Sequence, residues 1–174
     1  MKGNPAKYSA DVLEQVCHRH IGDLYTLCRR YLDNDDDAQD ALQNAFLRIV
    51  KSIDRFQDRG EGSMRAWMSR IAANESVRLL KSKGRLRRME RTDSLPDIPE
   101  DASADFGGID DATLYDMIGE LPEGARTVLN LFVFEKWSHK EIAAALHISE
   151  STSASQFHYA KKLLAEKLKK KSEE

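Results

Sequence analysis

Cysteine, long apolar stretches and an excess of either charge are all scarce in this sequence. Two cysteines, Cys17 and Cys28, in 174 residues do not make the disulfide framework of a small secreted domain. No apolar run approaches the ~18–20 residues that cross a bilayer, which argues against membrane insertion. The opening stretch MKGNPAKYSADVLEQV lacks the apolar centre of a signal peptide, so a reduced, cytoplasmic setting is the expectation. Net charge is -2, so no overall basic balance announces a nucleic-acid partner. Catalytic signatures are missing as well. There is no Gly-rich phosphate loop, and Ser63, His139 and His158 have no partner placed by spacing. Cys17-His18-Arg19-His20 with Cys28 makes a poor zinc cluster. Both cysteines fall on an apolar helical stripe, and no C-x-x-C or H-x-x-x-H pair completes four ligands. No enzyme activity, metal or cofactor is therefore expected.

What is present is helical. Hydrophobic residues make up 41% of the chain and charged ones 32%, a balance that suits a soluble, globular protein. Leu13, Cys17, Ile21, Leu24, Cys28 and Tyr31 recur at steps of three and four, which predicts one buried helix face. Asn34, Asp35 and Asp36 interrupt it and offer caps for a second helix carrying Ala38, Leu42, Ala45, Ile49, Ile53 and Phe56 inward. Residues 58–63, with Gly60 and Gly62, read as a loop. A third helix starts near Met64 and turns Trp67, Met68, Ile71 and Leu79 inward. Residues 92–110 hold two prolines, two glycines, six acidic residues and no Lys or Arg. Such a stretch buries too little apolar surface to offset its ordering entropy, so it reads as a flexible acidic linker. The expected architecture is all-α, with two small helical domains at 9–91 and 111–172 joined by that linker.

Charge is segregated rather than scarce. Residues 59–91 carry ten basic side chains against three acidic ones. Arg70, Asn74, Arg78, Lys81 and Arg85 recur at steps of four, four, three and four, opposite the apolar stripe. Such a face suits a polyanion, and it equally suits plain solvation. Trp67 borders it. The preceding helix opens instead on Asp35, Asp36, Asp37 and Asp40, so one block has an acidic and a basic pole.

The second block contains the sharper motif. Ser138 to Glu141 is a capping box opening a short helix, His147-Ile148-Ser149 is a tight turn, and Ser149 caps a long helix through Lys170. Two capped helices joined by three residues make a helix-turn-helix, favoured here over an ordinary helical hairpin. Ser153, Phe157, Ala160 and Leu164 form the inner face of its second helix. Ser151, Thr152, Ser155, Gln156 and Tyr159 are assigned to the outer, base-reading face.

These motifs together resemble the extracytoplasmic-function (ECF) class of bacterial sigma factors. Asp37-Ala38-Gln39-Asp40-Ala41-Leu42-Gln43-Asn44-Ala45-Phe46-Leu47-Arg48 is similar to the family's polymerase-binding helix. Asp54-Arg55-Phe56 and Gly62-Ser63-Met64-Arg65-Ala66-Trp67 through Asn74 are similar to its promoter-melting and -10-reading element. Leu121-Pro122, Glu141-Ile142-Ala143 and Ile148 through Thr152 are similar to its -35-reading domain. Gln39, Asn44, Met64 and His147 depart from the usual Glu, Glu, Phe and Gly. Ser153, Ala154, Gln156 and Tyr159 leave the reading helix short of cations. The resemblance implies polymerase docking through Asp37, Asp40, Gln43, Asn44 and Leu47. It implies -10 contacts through Met64, Trp67, Arg70, Asn74, Arg78, Lys81 and Arg85. Its implied partners are core RNA polymerase (clamp helices and flap), promoter DNA and, for some members, an anti-sigma factor. A free-standing helix-turn-helix regulator is the alternative. It is disfavoured because the first block has no ligand-pocket signature.

Overall fold

The computed structural model describes residues 9–86 and 110–172, and among these the chain is all-α. Four helices, α4 to α7, follow α1 (Ala10–Tyr31), α2 (Asp35–Ser52) and α3 (Ser63–Ser82). They are α4 (Asp111–Gly119), α5 (Glu123–Leu129), α6 (His139–Leu146) and α7 (Glu150–Ser172). The contacts divide the chain into two compact units, Met1–Leu79 and Leu80–Glu174. The expected linker lies outside the described residues except for Asp110, which is a structural residue. Its carboxylate accepts from the Thr113 N–H at 2.9 Å and caps α4.

In the first unit α1 packs against α2. Ala38, Ala41, Leu42, Ala45 and Ile49 are buried, with Ile53 and Phe56 closing the end. The larger of these, Leu42, Ile49, Ile53 and Phe56, each contribute roughly 1.5–3 kcal/mol on leaving water. The small alanines let the helices approach closely. Several of the expected inward residues are placed differently, Leu13, Cys17, Trp67 and Ile71 being only half-buried. Ile21 is 46% exposed, because the buried stripe of α1 runs through Leu24, Leu27, Cys28 and Tyr31 only in its second half. On α3 the deep positions of this unit are Met68, Ala72, Ala73 and Val77, while Leu79 is only half-buried.

The second unit wraps α4, α5 and α6 around α7. Its core joins Met117, Ile118, Leu121, Ala125 and Leu129 to Ala160 and Leu164. The buried Arg126 donates from Nη1 to the Gly119 carbonyl at 2.6 Å, satisfying a C-terminal carbonyl of α4. Helix α5 runs into one π turn, Asn130–Phe134, in which the Glu135 N–H reaches back to the Asn130 carbonyl at 3.2 Å. A π turn inserts one residue per turn and so re-aims the side chains after it. The capping box of α6 is present: Glu141 N–H donates to Ser138 Oγ and Ser138 N–H to Glu141 Oε2.

Candidate functional site

Three surfaces carry the candidate residues. On α2, Asn34 caps the helix. It accepts from the Asp37 N–H at 2.8 Å while its amide donates to Asp37 Oδ2 at 2.9 Å. That exchange pulls Asp37 inward, to 5% exposure, and corrects its assignment to the docking face. Its position one turn before Ala41 places it on the buried side. Asp40, Gln43, Asn44 and Leu47 all remain exposed along one stripe. Val50 extends that stripe. Leu47 is 53% exposed and Val50 51%, an apolar pair on an otherwise polar face. Exposed apolar side chains rimmed by polar ones are what a docking surface presents.

The second surface starts at the loop before α3. Asp58 Oδ1 accepts from the Gly60 N–H at 3.0 Å and from Ser63 Oγ at 2.9 Å, and Ser63 Oγ accepts from the Arg59 N–H at 3.2 Å. Gly60 (φ 105°) and Gly62 (φ 79°) hold the left-handed conformations this turn needs, where a Cβ would be strained. The loop is thus ordered by its own hydrogen bonds before any ligand arrives. Met64 and Trp67 are half-buried beside it, with the Trp67 ring 5.2 Å from Phe56.

Arg70, Asn74 and Arg78 continue from there as an exposed face of α3. None is wholly uncommitted. The Asn74 amide donates to the Arg70 carbonyl at 2.8 Å. Arg78 lies 3.6 Å from Glu75, a 6% exposed carboxylate that also pairs with Arg48 of α2. The last two expected members of this face differ. Arg85 lies beyond the end of α3, in a turn made by Gly84 (φ 69°), so it does not extend the helical row. Lys81 and Arg85 both fall in the second unit and are engaged there, Lys81 with the Ala145 carbonyl at 2.7 Å and Arg85 with Glu123 at 2.6 Å.

The third surface is the start of α7. His147 takes the left-handed conformation (φ 57°, ψ 45°) that the turn demands, and Ser149 accepts from the Thr152 N–H at 3.0 Å. The hydroxyls of Ser151 and Thr152 both lie 2.8 Å from Ser149 Oγ, so they belong partly to the cap. Ser153 and Ala160 face inward. Gln156 does too, at 5% exposure, which removes it from the reading face. It stands three residues after Ser153 and four before Ala160, and that spacing alone fixes its side. Tyr159 is half-buried at the margin. Ser151, Ser155 and His158 are exposed and Lys162 follows, at steps of four, three and four. At about 3.6 residues per turn these four make one outward stripe. His158 was not among the expected contacts. From Ser151 to His158 the helix rises ~10 Å, roughly three base-pair steps.

Two family models match the chain: Sigma-70 region 2 over residues 16–86 and Sigma-70 region 4 over residues 111–164. The RNA polymerase sigma-E factor of Streptomyces avermitilis is 33% identical over 147 residues, covering 83% of this chain and 78% of that protein. The chain belongs to the ECF sigma factor family. The ECF RNA polymerase sigma factor SigE of Mycolicibacterium smegmatis is 27% identical over 165 residues, covering 92% of this chain and 63% of that protein's length. Among solved structures, the sigma factor RpoE of Bartonella quintana, determined with the anti-sigma factor NepR, matches with a TM-score of 0.54 at 20% identity. That match covers 90% of this chain and 96% of that one, and it is a likeness of fold. ECF sigma factors are DNA-binding factors of transcription initiation. The α2, loop and α3 surfaces fall in the region 2 match, and the stripe on α7 falls in the region 4 match. Among the described residues no helix is long and apolar enough to cross a membrane, and no His, Cys, Asp and Glu cluster fits a metal ion.

Proposed function

We propose that this ECF sigma factor docks on core RNA polymerase, directs it to promoters and melts them. Residues 9–91 carry docking and -10 reading, and residues 111–172 carry -35 reading. Residues 92–110 connect them. The stripe of Asp40, Gln43, Asn44 and Leu47, extended by Val50, lies on the clamp helices, and the second domain lies by the flap. The glycine-held loop at residues 58–63 receives an unstacked base beside Met64 and Trp67, while Arg70, Asn74 and Arg78 follow the displaced strand. Ser151, Thr152, Ser155 and Tyr159 face the -35 element. No bond is made or broken by the chain itself, polymerase supplying the chemistry in the cytoplasm.

The observation that carries this reading is the loop ordered through Asp58, Gly60 and Ser63 at the head of an exposed Arg-Asn-Arg face. Extruding a base costs a few kcal/mol, so a loop already ordered spends no further binding energy on its own ordering. A free-standing regulator has no use for such a loop. The names of the relatives support the polymerase partner. The Bartonella complex supports an anti-sigma partner as well.

Run-off transcription with purified core polymerase and a promoter library tests the proposal. Transcripts from defined start sites are expected only when the chain is added. A folded chain that yields none across the library refutes the assignment. Asp40→Arg should abolish co-purification with core polymerase, since a reversed charge at an interface costs roughly 2–5 kcal/mol. Unchanged recovery of core by the folded variant would remove α2 as the docking helix.

A further inference from the structure

The angle between α6 and α7 decides where the outward stripe of α7 meets DNA, and a polar bond crosses that angle. His139, the first residue of α6, places Nδ1 2.9 Å from Ser153 Oγ, fourteen residues away on α7. Ser153 is fully buried. The His139 ring also stacks on Phe132, with centroids 4.6 Å apart and planes 18° apart. Phe132 in turn lies 4.5 Å from Phe157 of α7, and His139 lies 5.9 Å from the same ring. The π turn that carries Phe132, the start of α6 and the first two turns of α7 therefore meet in one cluster. Its aromatic contacts are broad and tolerate small slides, since such rings pack over a range of offsets. The hydrogen bond does not, because it weakens steeply with distance and angle. Ser153 sits midway between Ser151 and Ser155, so a rotation of the helix that shifts Ser153 carries both outward hydroxyls with it.

We propose that His139 is a positioning residue for the reading helix, fixing its rotation through Ser153 and so setting -35 selectivity without touching DNA. The inference rests on α7 being the -35 reader. His139→Phe keeps the stack and removes the bond, Ser153→Ala removes the bond from the other side, and His139→Asn places an amide nitrogen where Nδ1 stood. Each variant of the full chain is assembled with core polymerase and bound to two promoters, one selected from a library and one with its -35 element scrambled. His139→Phe and Ser153→Ala should each reduce the preference for the selected promoter by about tenfold. The double variant should lose no more than either single one, and His139→Asn should keep most of the preference. Affinity for the scrambled promoter and its salt dependence should not move, which a general loss of folding would not leave intact. If His139→Phe does not fold, Ser153→Ala alone carries the same prediction. Wild-type preference retained by folded His139→Phe or Ser153→Ala overturns the proposal. So do losses that multiply in the double variant. A wild-type assembly that does not distinguish the two promoters overturns instead the assignment of α7 as the reader.

Discussion

The faces of α3 and α7 are made from opposite materials. On α3 the exposed row is guanidinium, amide, guanidinium, and its members already hold partners within the protein, among them Asn74 the Arg70 carbonyl and Arg78 the buried Glu75. On α7 the exposed row is hydroxyl, hydroxyl, imidazole, and its cations come only further along the helix, at Lys161 and Lys162. A cationic row attracts any phosphate chain with little regard to sequence. A row of short polar groups adds little affinity and discriminates only if it is held accurately against base edges. On the proposed function, the difference suits α3 to holding a strand and α7 to choosing a site. In the second unit a full capping box, a capped turn and a buried arginine fix the elements around α7.

The widest separation of the two faces comes from damaging one core. Leu164→Ala should cost the second unit roughly 2–5 kcal/mol through the cavity it leaves. Each unit contains one tryptophan, Trp67 in the first and Trp137 in the second. Denaturant titration of single-tryptophan variants should therefore show the Trp137 transition shifting to lower denaturant while the Trp67 transition stays. A common shift would mean that the two units melt as one.

A smaller effect tests the contrast within α3 itself. Asn74→Ala should reduce discrimination among -10 sequences by about 1–3 kcal/mol, the size of one base contact. Glu75→Gln should instead steepen the salt dependence of single-strand binding, because Arg78 then keeps its whole charge for phosphate. Filter binding at two salt concentrations reads both, and identical profiles for the two variants would erase the division of labour drawn here.

Ser149→Ala is expected to cost about 1 kcal/mol of stability through loss of the α7 cap, measured by thermal melting. It also releases the hydroxyls of Ser151 and Thr152, so -35 preference should change more than melting temperature does. The smallest effect concerns acid. The Thr113 N–H and hydroxyl hold the Asp110 carboxyl below the usual carboxylate range. A depressed folded pKa gives stability that is complete above the ordinary Asp range and is lost as pH falls through the folded value. Asp110→Asn should therefore differ least from the parent at the lowest pH at which both are folded. A difference that grows on acidification would contradict the capping role.

Much of this was legible along the chain because helix periodicity is local. The inward stripe of α2 and the capping box at Ser138 need only near neighbours in sequence, and both fold as read. Gln156 was legible too, since its spacing from Ser153 and Ala160 puts it inside. An amide on a reading helix suits adenine, yet the spacing alone puts this one inside. Asp37 was hidden by chemistry of another kind: an aspartate at a helix start can face outward as charge or inward as a cap, and only Asn34 decides. Arg85 kept helical spacing past the point where Gly84 ended the helix. The pair His139 and Ser153, and the double use of Glu75 by Arg48 and Arg78, depend on which helices meet, and no local pattern announces that.

The turn between α6 and α7 closes on a histidine where glycine is the easier residue, with His147 in the left-handed region. A β carbon there carries strain of about 1–2 kcal/mol that glycine would not. A glycine hinge, however, samples many conformations, and its freedom must be given up when the helices lock onto a groove. With His147 that surrender happens during folding, when the chain first makes the turn. The hinge then reaches DNA already preorganised, and association loses less entropy at that joint.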